Sequence, residues 1–412
     1  MAKTLHAWLY GTHLAEISSN SEGTRLGLNF TDEALTRWGT GSTILSMSLP
    51  LSRRHHPQAR VTAFFQGLLP EGQQLTAMAQ YVDVAESNTF ALLAEFGKDV
   101  AGALYLTTDN EPEAVPPHQY RPLSLEELAR EVETSRLDQG MDAFEPLGNT
   151  PTLRGRSLGG YQGKRLVAQF DGSWFDPVGG SPSTHIAKPQ SVNVNHPDLT
   201  ENEAVTMQFA QRLGITTTES ELHHVEGTVF MTQSRFDRVI DGPHRVRRIH
   251  QEDGCQATGT VPGRKYEASG GPSLQSIARL LAPAERETFL GQLTFKAVIG
   301  DTDAHAKNTS FVHREDGRVT LAPLYDCQPG LHYVANSLAQ RINGVSTFPV
   351  LSAADLVAEG AQWGIDIEAA SRIVRQTVVG MAVEFPALDV RQGNLAAFEV
   401  VERRIAQFVA NV

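Results

Sequence analysis

The chain has 412 residues, 41% hydrophobic and 20% charged, a composition that excludes a fibre or a disordered tail and predicts two or three globular domains of roughly 100–200 residues each. Lys and Arg number 35 against 47 Asp and Glu, a formal net charge of −12, so there is no overall basic field to hold a nucleic-acid backbone and any such role must be local or indirect. Two cysteines, Cys255 and Cys327, are too few for a disulfide framework or a four-thiolate zinc site, and no signal-like N-terminus or apolar run of about 18 residues occurs; a cytoplasmic protein without membrane contact is expected.

In chain order, LHAWLY and HLAEI flank Gly11 and Thr12 as a hairpin would, and LGLNF adds a third strand. From Phe64 the pattern turns helical, with TFALLAEFG closed by Gly97, before a strand GALYL; residues 1–108 are read as a mixed α/β subdomain for partner contact, without a convergent set of titratable groups. Between Asp109 and Glu145 stand ten acidic residues against three arginines, with four prolines from Pro112 to Pro122, so 109–150 is expected to be an acidic connector carrying one short helix capped by Ser124 and Glu127. Residues 151–238 contain the strands RLVAQF and THIAK. Residues 239–412 are expected to be mainly helical, and beyond Thr200 a single hairpin, TSFVHR and VTLAPLYD, is the one interruption of the helices.

A strand-rich lobe followed by a helix-rich lobe is the order of protein-kinase-like phosphotransferases, an α+β class. In IGDTDAHAKN, which follows an apolar helix, Asp303 precedes Asn308 by five positions, the spacing of the kinase catalytic Asp and its metal-binding Asn. The hairpin after it brings its two ends, Asn308 and Asp326, side by side, where an amide oxygen and a carboxylate suit Mg²⁺ and nucleotide phosphates, leaving Asp303 as base for an incoming hydroxyl. SLGGYQGK offers three glycines before a strand but fits neither Walker A nor Gly-x-Gly-x-x-Gly. Lys188 ends a strand before Pro189. Glu203 suits either a pair with Lys188 or a capping box with Thr200, and the cap is favoured. His223, His224, His244 and His250 match no metal-ligand spacing and read as ordinary polar residues.

The ordered series FFQGLLPEG, LLAEFGKDVAGAL, SLGGYQGK, THIAK, SRFDR, QEDGCQ, KYEASGGP, DTDAHAKN and LYD, spread over nearly the whole chain, resembles the HipA family of Ser/Thr protein kinases, the toxin half of bacterial toxin–antitoxin pairs. The resemblance implies a two-lobe fold of the protein-kinase and phosphoinositide-kinase type, and Asp303 as catalytic aspartate. It implies Asn308 and Asp326 as Mg²⁺ ligands, and an ATP site made by Gly159, Gly160, Tyr161, Gln162, Gly163 and Lys164 over the phosphates with Lys188 contacting them. His305, Ala306, Lys307, Asn308, Tyr325 and Asp326 would line that site, Ser234, Arg235 and Phe236 would form the hinge against adenine, and Ser157 would be autophosphorylated, switching the kinase off. Gly163 and Ser234 depart from the better-known members, which carry acidic residues there. Implied partners are a small DNA-binding, HipB-like antitoxin, operator DNA reached indirectly through it, and a protein substrate, aminoacyl-tRNA synthetases being among the family's acceptors.

Three other readings compete. A lipid or small-molecule phosphotransferase would share Asp-x-His-x-x-Asn, but the acidic charge and the lack of a basic amphipathic helix oppose a membrane substrate. A pseudokinase would bind its antitoxin as a transcriptional co-regulator without turnover. A metal-dependent phosphohydrolase would use Asp301, Asp303, His305 and Asp326 as ligands and leave Lys188 without a role.

Overall fold

Alternating apolar residues in Leu5–Leu9, Thr12–Ser19 and Leu26–Phe30 put one face of each strand inward, and Tyr105–Thr107 completes a four-stranded antiparallel sheet beside the first strand. The first hairpin turns at Tyr10 and Gly11, whose φ of 50° and 77° are the left-handed values that a tight two-residue turn requires. Helices Gln58–Gln66 and Thr89–Phe96 share a core with this sheet, burying Leu5, Leu9, Phe64, Phe65 and Leu92. As predicted, the second of these helices ends at Gly97. This computed structural model describes residues 4–109, 118–137, 164–191, 196, 198–334 and 336–412.

The expected connector is in part a structural member of the next unit. Strand Gln119–Leu123 is the edge of a six-stranded antiparallel sheet, followed in space by Ser173–Val178, Arg165–Phe170, His185–Pro189, Thr228–Ser234 and Ser220–Val225. Pro122 is tolerated because an edge strand leaves one row of N–H groups unpaired. Helix Leu125–Leu137 starts at the predicted capping box, Glu127 N donating to Ser124 Oγ at 3.1 Å and Ser124 N to Glu127 Oε2 at 2.8 Å, and buries Leu128 and Val132 in the same core as Val167 and Phe230.

The expectation of one hairpin beyond Thr200 is also corrected. Ser220–Val225 and Thr228–Ser234 form another, turning at Glu226 and Gly227 with φ of 49° and 87°. The predicted hairpin, Ser310–His313 with Val319–Leu321, gains a third strand, His250–Asp253, and a further pair joins Ser337–Ile342 to Val345–Thr347. Around them pack the helices Pro283–Ile299, Ala353–Gln362, Ile367–Glu384 and Leu395–Val409, the last three being the predicted amphipathic stretches. Their core holds Phe289, Phe295, Val374, Phe398 and Phe408. Buried Arg404 donates to the carbonyls of Ala297 and Val298 at 2.8 and 3.0 Å, satisfying the last turn of the central helix. Among the described residues, no helix is long and apolar enough to cross a membrane.

Buried and half-buried polar groups bind the N-terminal unit to the rest. Tyr10 Oη donates to the His313 carbonyl at 2.6 Å and accepts from His250 N at 2.8 Å, and Glu252 accepts from Ser46 Oγ at 2.5 Å and Met47 N at 2.8 Å. His250, read as an ordinary polar residue, is fully buried, bonds the Leu45 carbonyl at 2.7 Å, and burial pushes its imidazole down to about 3. Asp237 accepts both arms of Arg235 at 2.9 and 2.8 Å and the Gly102 amide at 2.7 Å, while Arg238 Nη1 lies 2.9 Å away. Asp237→Asn would leave two buried guanidinium groups short of their counter-charge, so a loss of about 3–5 kcal/mol in unfolding free energy is expected by chemical denaturation. A variant as stable as the parent would show that this cluster does not hold the units together.

Candidate active site

The central helix ends at Gly300, in a left-handed conformation with φ 76°, and the chain enters the 301–308 loop. Buried Asp301 accepts the Asp303 amide at 3.0 Å. Lys296, one turn back on the helix and buried, donates to the Asn308 carbonyl at 2.7 Å, and Asn308 Nδ2 donates to the Asp303 carbonyl at 2.9 Å. The loop is thereby fixed at both ends, with the half-exposed Asp303 carboxylate accepting the Tyr266 hydroxyl. His305 lies 3.8 Å from that carboxylate; burial pushes its imidazole down to about 4, so at neutral pH the contact is not an ion pair.

Across the cleft, Lys188 is placed at its strand end opposite Met231, with 2% of its surface exposed. Its ammonium donates to Glu203 Oε1 at 2.5 Å and to Asp326 Oδ1 at 2.9 Å. The capping role favoured for Glu203 is overturned: the helix Leu199–Arg212 has Asp198 as its N-cap, and Thr200 Oγ1 donates to the Pro189 carbonyl at 2.8 Å. Because the helix starts at Leu199, Glu203 is its fifth residue, one turn too deep to reach back to the cap, and its carboxylate instead meets the buried ammonium. Burial alone would lower the Lys188 pKa, but the Asp326 and Glu203 carboxylates hold it well above the ordinary range. Burial likewise opposes charge on Asp326, yet Lys188 and Lys164 keep it well below the usual carboxylate range. Burial and the like charge of Lys188 push Lys164 down to about 8.

The strand Thr228–Ser234 delivers Ser234, Arg235 and Phe236 to the same cleft, which Lys164, Lys188, Asp303, His305, Lys307, Asn308, Tyr325 and Asp326 also line. Phe236 and Tyr325 stand 5.4 Å apart between ring centroids. The Tyr325 hydroxyl donates to the Lys307 carbonyl at 2.6 Å. The Arg235 guanidinium is held by Asp237 and Ser183, so what this residue offers the cleft is its position in the chain rather than its charge. Ala306 is buried in the loop. Ser157 and Gly159 to Gly163, with Tyr161 and Gln162 between them, lie outside the described residues.

Several groups escaped the sequence reading. Tyr266 comes from the KYEASGGP segment, whose resemblance to the family was visible while its contact with Asp303 was not. Lys296 hides in an apolar helical pattern, and Glu71 and Lys265, which also line the cleft, come from segments far from the loop. For a divalent cation, the fit is sound: the Asn308 amide nitrogen is committed to the carbonyls of Asp303 and Asp326, at 2.9 and 3.4 Å, so its hard oxygen is the atom that remains, beside an ionised Asp326. The hydrolase ligand set is not assembled, since among the described residues no three His, Cys, Asp or Glu side chains converge on a metal-sized point.

A strand-rich lobe and a helix-rich lobe meeting at a cleft with a Lys–Glu pair on one side and an Asp-x-x-x-x-Asn loop on the other define a protein-kinase-like α+β fold. The sequence matches the HipA N-terminal domain over residues 5–107 and the HipA-like C-terminal domain over residues 156–384. Y4mE of Sinorhizobium fredii is 34% identical over 357 residues, 82% of this chain and 81% of that protein. The serine/threonine-protein kinase toxin HipA of Shewanella oneidensis is 29% identical over 341 residues, 78% of this chain and 74% of that one. A chain in the solved complex of HipA, HipB and operator DNA from Shewanella oneidensis has the same fold, with a TM-score of 0.79 at 24% identity over 99% of this chain and 96% of that chain. The protein belongs to the HipA family.

Asp301 supplies a pH test of the loop. Burial raises its carboxyl from the ordinary 3.8 to about 7, so below pH 4 it is neutral in folded and unfolded chains alike. Between about 4 and 7 the unfolded chain ionises first, and stability falls as pH rises. Asp301→Asn removes that charge while keeping an acceptor for the Asp303 amide. Its stability relative to the parent should rise by about 1–3 kcal/mol between pH 4.5 and 8 in denaturant titrations. An offset equal at both pH values would mean that the buried charge is not the cause.

Proposed function

We propose that this chain is an ATP- and Mg²⁺-dependent serine/threonine protein kinase that acts as the growth-inhibiting toxin of a two-component pair. The observation that carries the reading is the meeting, in one cleft, of the Lys188 ammonium with Glu203 and Asp326 and of the Asn308 amide with the Asp303 loop. Lys188 binds the phosphates of ATP and is kept charged and aimed by its two carboxylates. Phe236 and Tyr325 offer apolar ring surface to the base, with Ser234 and Arg235 lining the same cleft. Mg²⁺ held by Asn308 and Asp326 would neutralise charge on the β- and γ-phosphates.

Asp303 then does the acceptor's chemistry. It takes a hydrogen bond from a protein Ser or Thr hydroxyl and receives its proton as the oxygen bonds to the γ-phosphorus and ADP leaves. The Tyr266 hydroxyl on the same carboxylate fixes its orientation. The Gly159–Lys164 segment would cover the phosphates, and phosphate on Ser157, a dianion next to that segment, would favour a loop conformation incompatible with nucleotide. The similarity to the Shewanella HipA toxin and to the chain solved with HipB and operator DNA supports a small DNA-binding antitoxin as partner, with DNA reached through it. Cytoplasmic location follows from the same reading, and the acceptor is a protein hydroxyl, with aminoacyl-tRNA synthetases as the first class to screen.

Asp303→Asn keeps size and hydrogen-bonding shape but removes charge and basicity, so phosphoryl transfer from γ-labelled ATP should fall by about 10²–10⁴-fold. Calorimetric binding of a non-hydrolysable ATP analogue with Mg²⁺ should be retained. Lys188→Ala should lose that binding. Wild-type transfer by Asp303→Asn would overturn the assignment, free phosphate in place of protein label would favour a hydrolase, and no turnover by the parent chain would favour the pseudokinase.

A further inference from the structure

Glu71 stands on the turn after helix Gln58–Gln66, in the N-terminal unit, yet its carboxylate faces the cleft. Oε2 accepts from Lys265 Nζ at 3.0 Å and Oε1 accepts from Lys307 Nζ, partners 194 and 236 residues away in sequence. The two lysines sit on the two segments that frame Asp303. Lys265 precedes Tyr266, whose hydroxyl bonds the Asp303 carboxylate, and Lys307 precedes Asn308, which bonds the Asp303 carbonyl. The segments also touch through the Ala306 amide, which donates to the Lys265 carbonyl at 3.2 Å.

The platform beneath Glu71 is rigid. Gln256 Nε2 donates to the Phe64 carbonyl at 2.9 Å, and a Cβ on Gly67 would come within 2.6 Å of Gln256 Cγ, so helix and lobe are in close contact just before the turn. A carboxylate at the wall of a phosphate site opposes anion binding by simple Coulomb repulsion. Its presence there is accounted for by what it does to the lysines. Buried Asp253 lines the same cleft, but the carboxylate that Lys307 bonds is that of Glu71. With Glu71 gone, the Lys265 and Lys307 ammonium groups would lose the one carboxylate that ties them together.

We propose that Glu71 is a positioning residue for phosphoryl transfer: by bonding Lys265 and Lys307 it ties the segment that carries Tyr266 to the loop that carries Asp303, making the N-terminal unit part of the reaction site. This rests on the kinase reading. Each ammonium spends one donor on Glu71 and keeps two for phosphate oxygens or the acceptor. Because these donors act on the transferred group, the loss should appear in turnover more than in nucleotide affinity.

The test uses the full chain, γ-labelled ATP and a bacterial extract as acceptor pool, with Asp303→Asn as background. Glu71→Gln should lower transfer at saturating ATP by about 10–10²-fold and move the dissociation constant of the non-hydrolysable analogue by less than about threefold, while Glu71→Asp recovers part of the rate. In a Lys307→Met background, Glu71→Gln should add less than about threefold, because both changes remove one arrangement. Unchanged transfer by Glu71→Gln, equal loss in rate and affinity, or full additivity with Lys307→Met would overturn the proposal while leaving the kinase reading intact. A parent chain that transfers no label above the Asp303→Asn background would remove the kinase reading and this inference together.

Discussion

One ammonium, that of Lys188, is shared by two carboxylates reaching it from different elements, and the cleft exists in this form because that charge must be satisfied. The strand carrying Lys188, the helix carrying Glu203 and the end of the hairpin carrying Asp326 have separate reasons to form, since each has its own apolar face. Nothing in those faces dictates their mutual distance. A lysine with 2% of its surface exposed does, because desolvating it without partners costs several kcal/mol and only a geometry that brings both carboxylates within hydrogen-bond reach offsets that cost. Asp326 accepts a left-handed backbone, φ 52°, to be there.

The parts of the site that lie close together in sequence were legible in it. The five-residue interval from Asp303 to Asn308 and the closure of the following hairpin both follow from local rules, and the hairpin brings the Asn308 amide nitrogen to 3.4 Å from the Asp326 main-chain carbonyl. Where two local rules competed, the sequence was ambiguous. Thr200 and Glu203 have the capping-box spacing, but the helix starts before Thr200, and the buried amine that takes Glu203 arrives from another strand. Composition misled where it was mixed: the prolines and acids after Asp109 describe a connector, yet Gln119–Leu123 is an edge strand that tolerates Pro122. The pair of histidines in Ser220–Val225 obscured an alternating strand, although the turn at Glu226 and Gly227 was a readable signal. Glu71 lies in FFQGLLPEG, whose family resemblance was visible, but no local rule connects its carboxylate to lysines some two hundred residues away.

The same long-range character marks the contact between the N-terminal unit and the rest. Hydrophobic burial is non-directional and would accept many docking angles, whereas Glu252 and Asp237 each accept from donors on both sides and His250 donates to the Leu45 carbonyl, all at fixed distances. Removing any one partner strands a desolvated polar group, so the docking geometry is specified more sharply than its apolar area would require. A carboxylate carried on that unit can therefore be aimed at a lysine in another lobe with the accuracy of a residue in the same helix.

Asp301 and Asp303 show how the fold gives two identical side chains different work within one turn of chain. Asp301 points inward, is buried beside Cys327, and is pushed up to about 7, so near neutral pH it is substantially protonated while its Oδ1 still accepts the Asp303 amide. Asp303 has half its side chain in contact with solvent and a hydroxyl donor upon it. Had both been buried and ionised two residues apart, their repulsion would have worked against the loop that the Lys296–Asn308 bond closes. Separating them into one inward, partly neutral pin and one outward charge removes that repulsion, and it leaves the negative charge on the side of the loop where an acceptor hydroxyl can reach it.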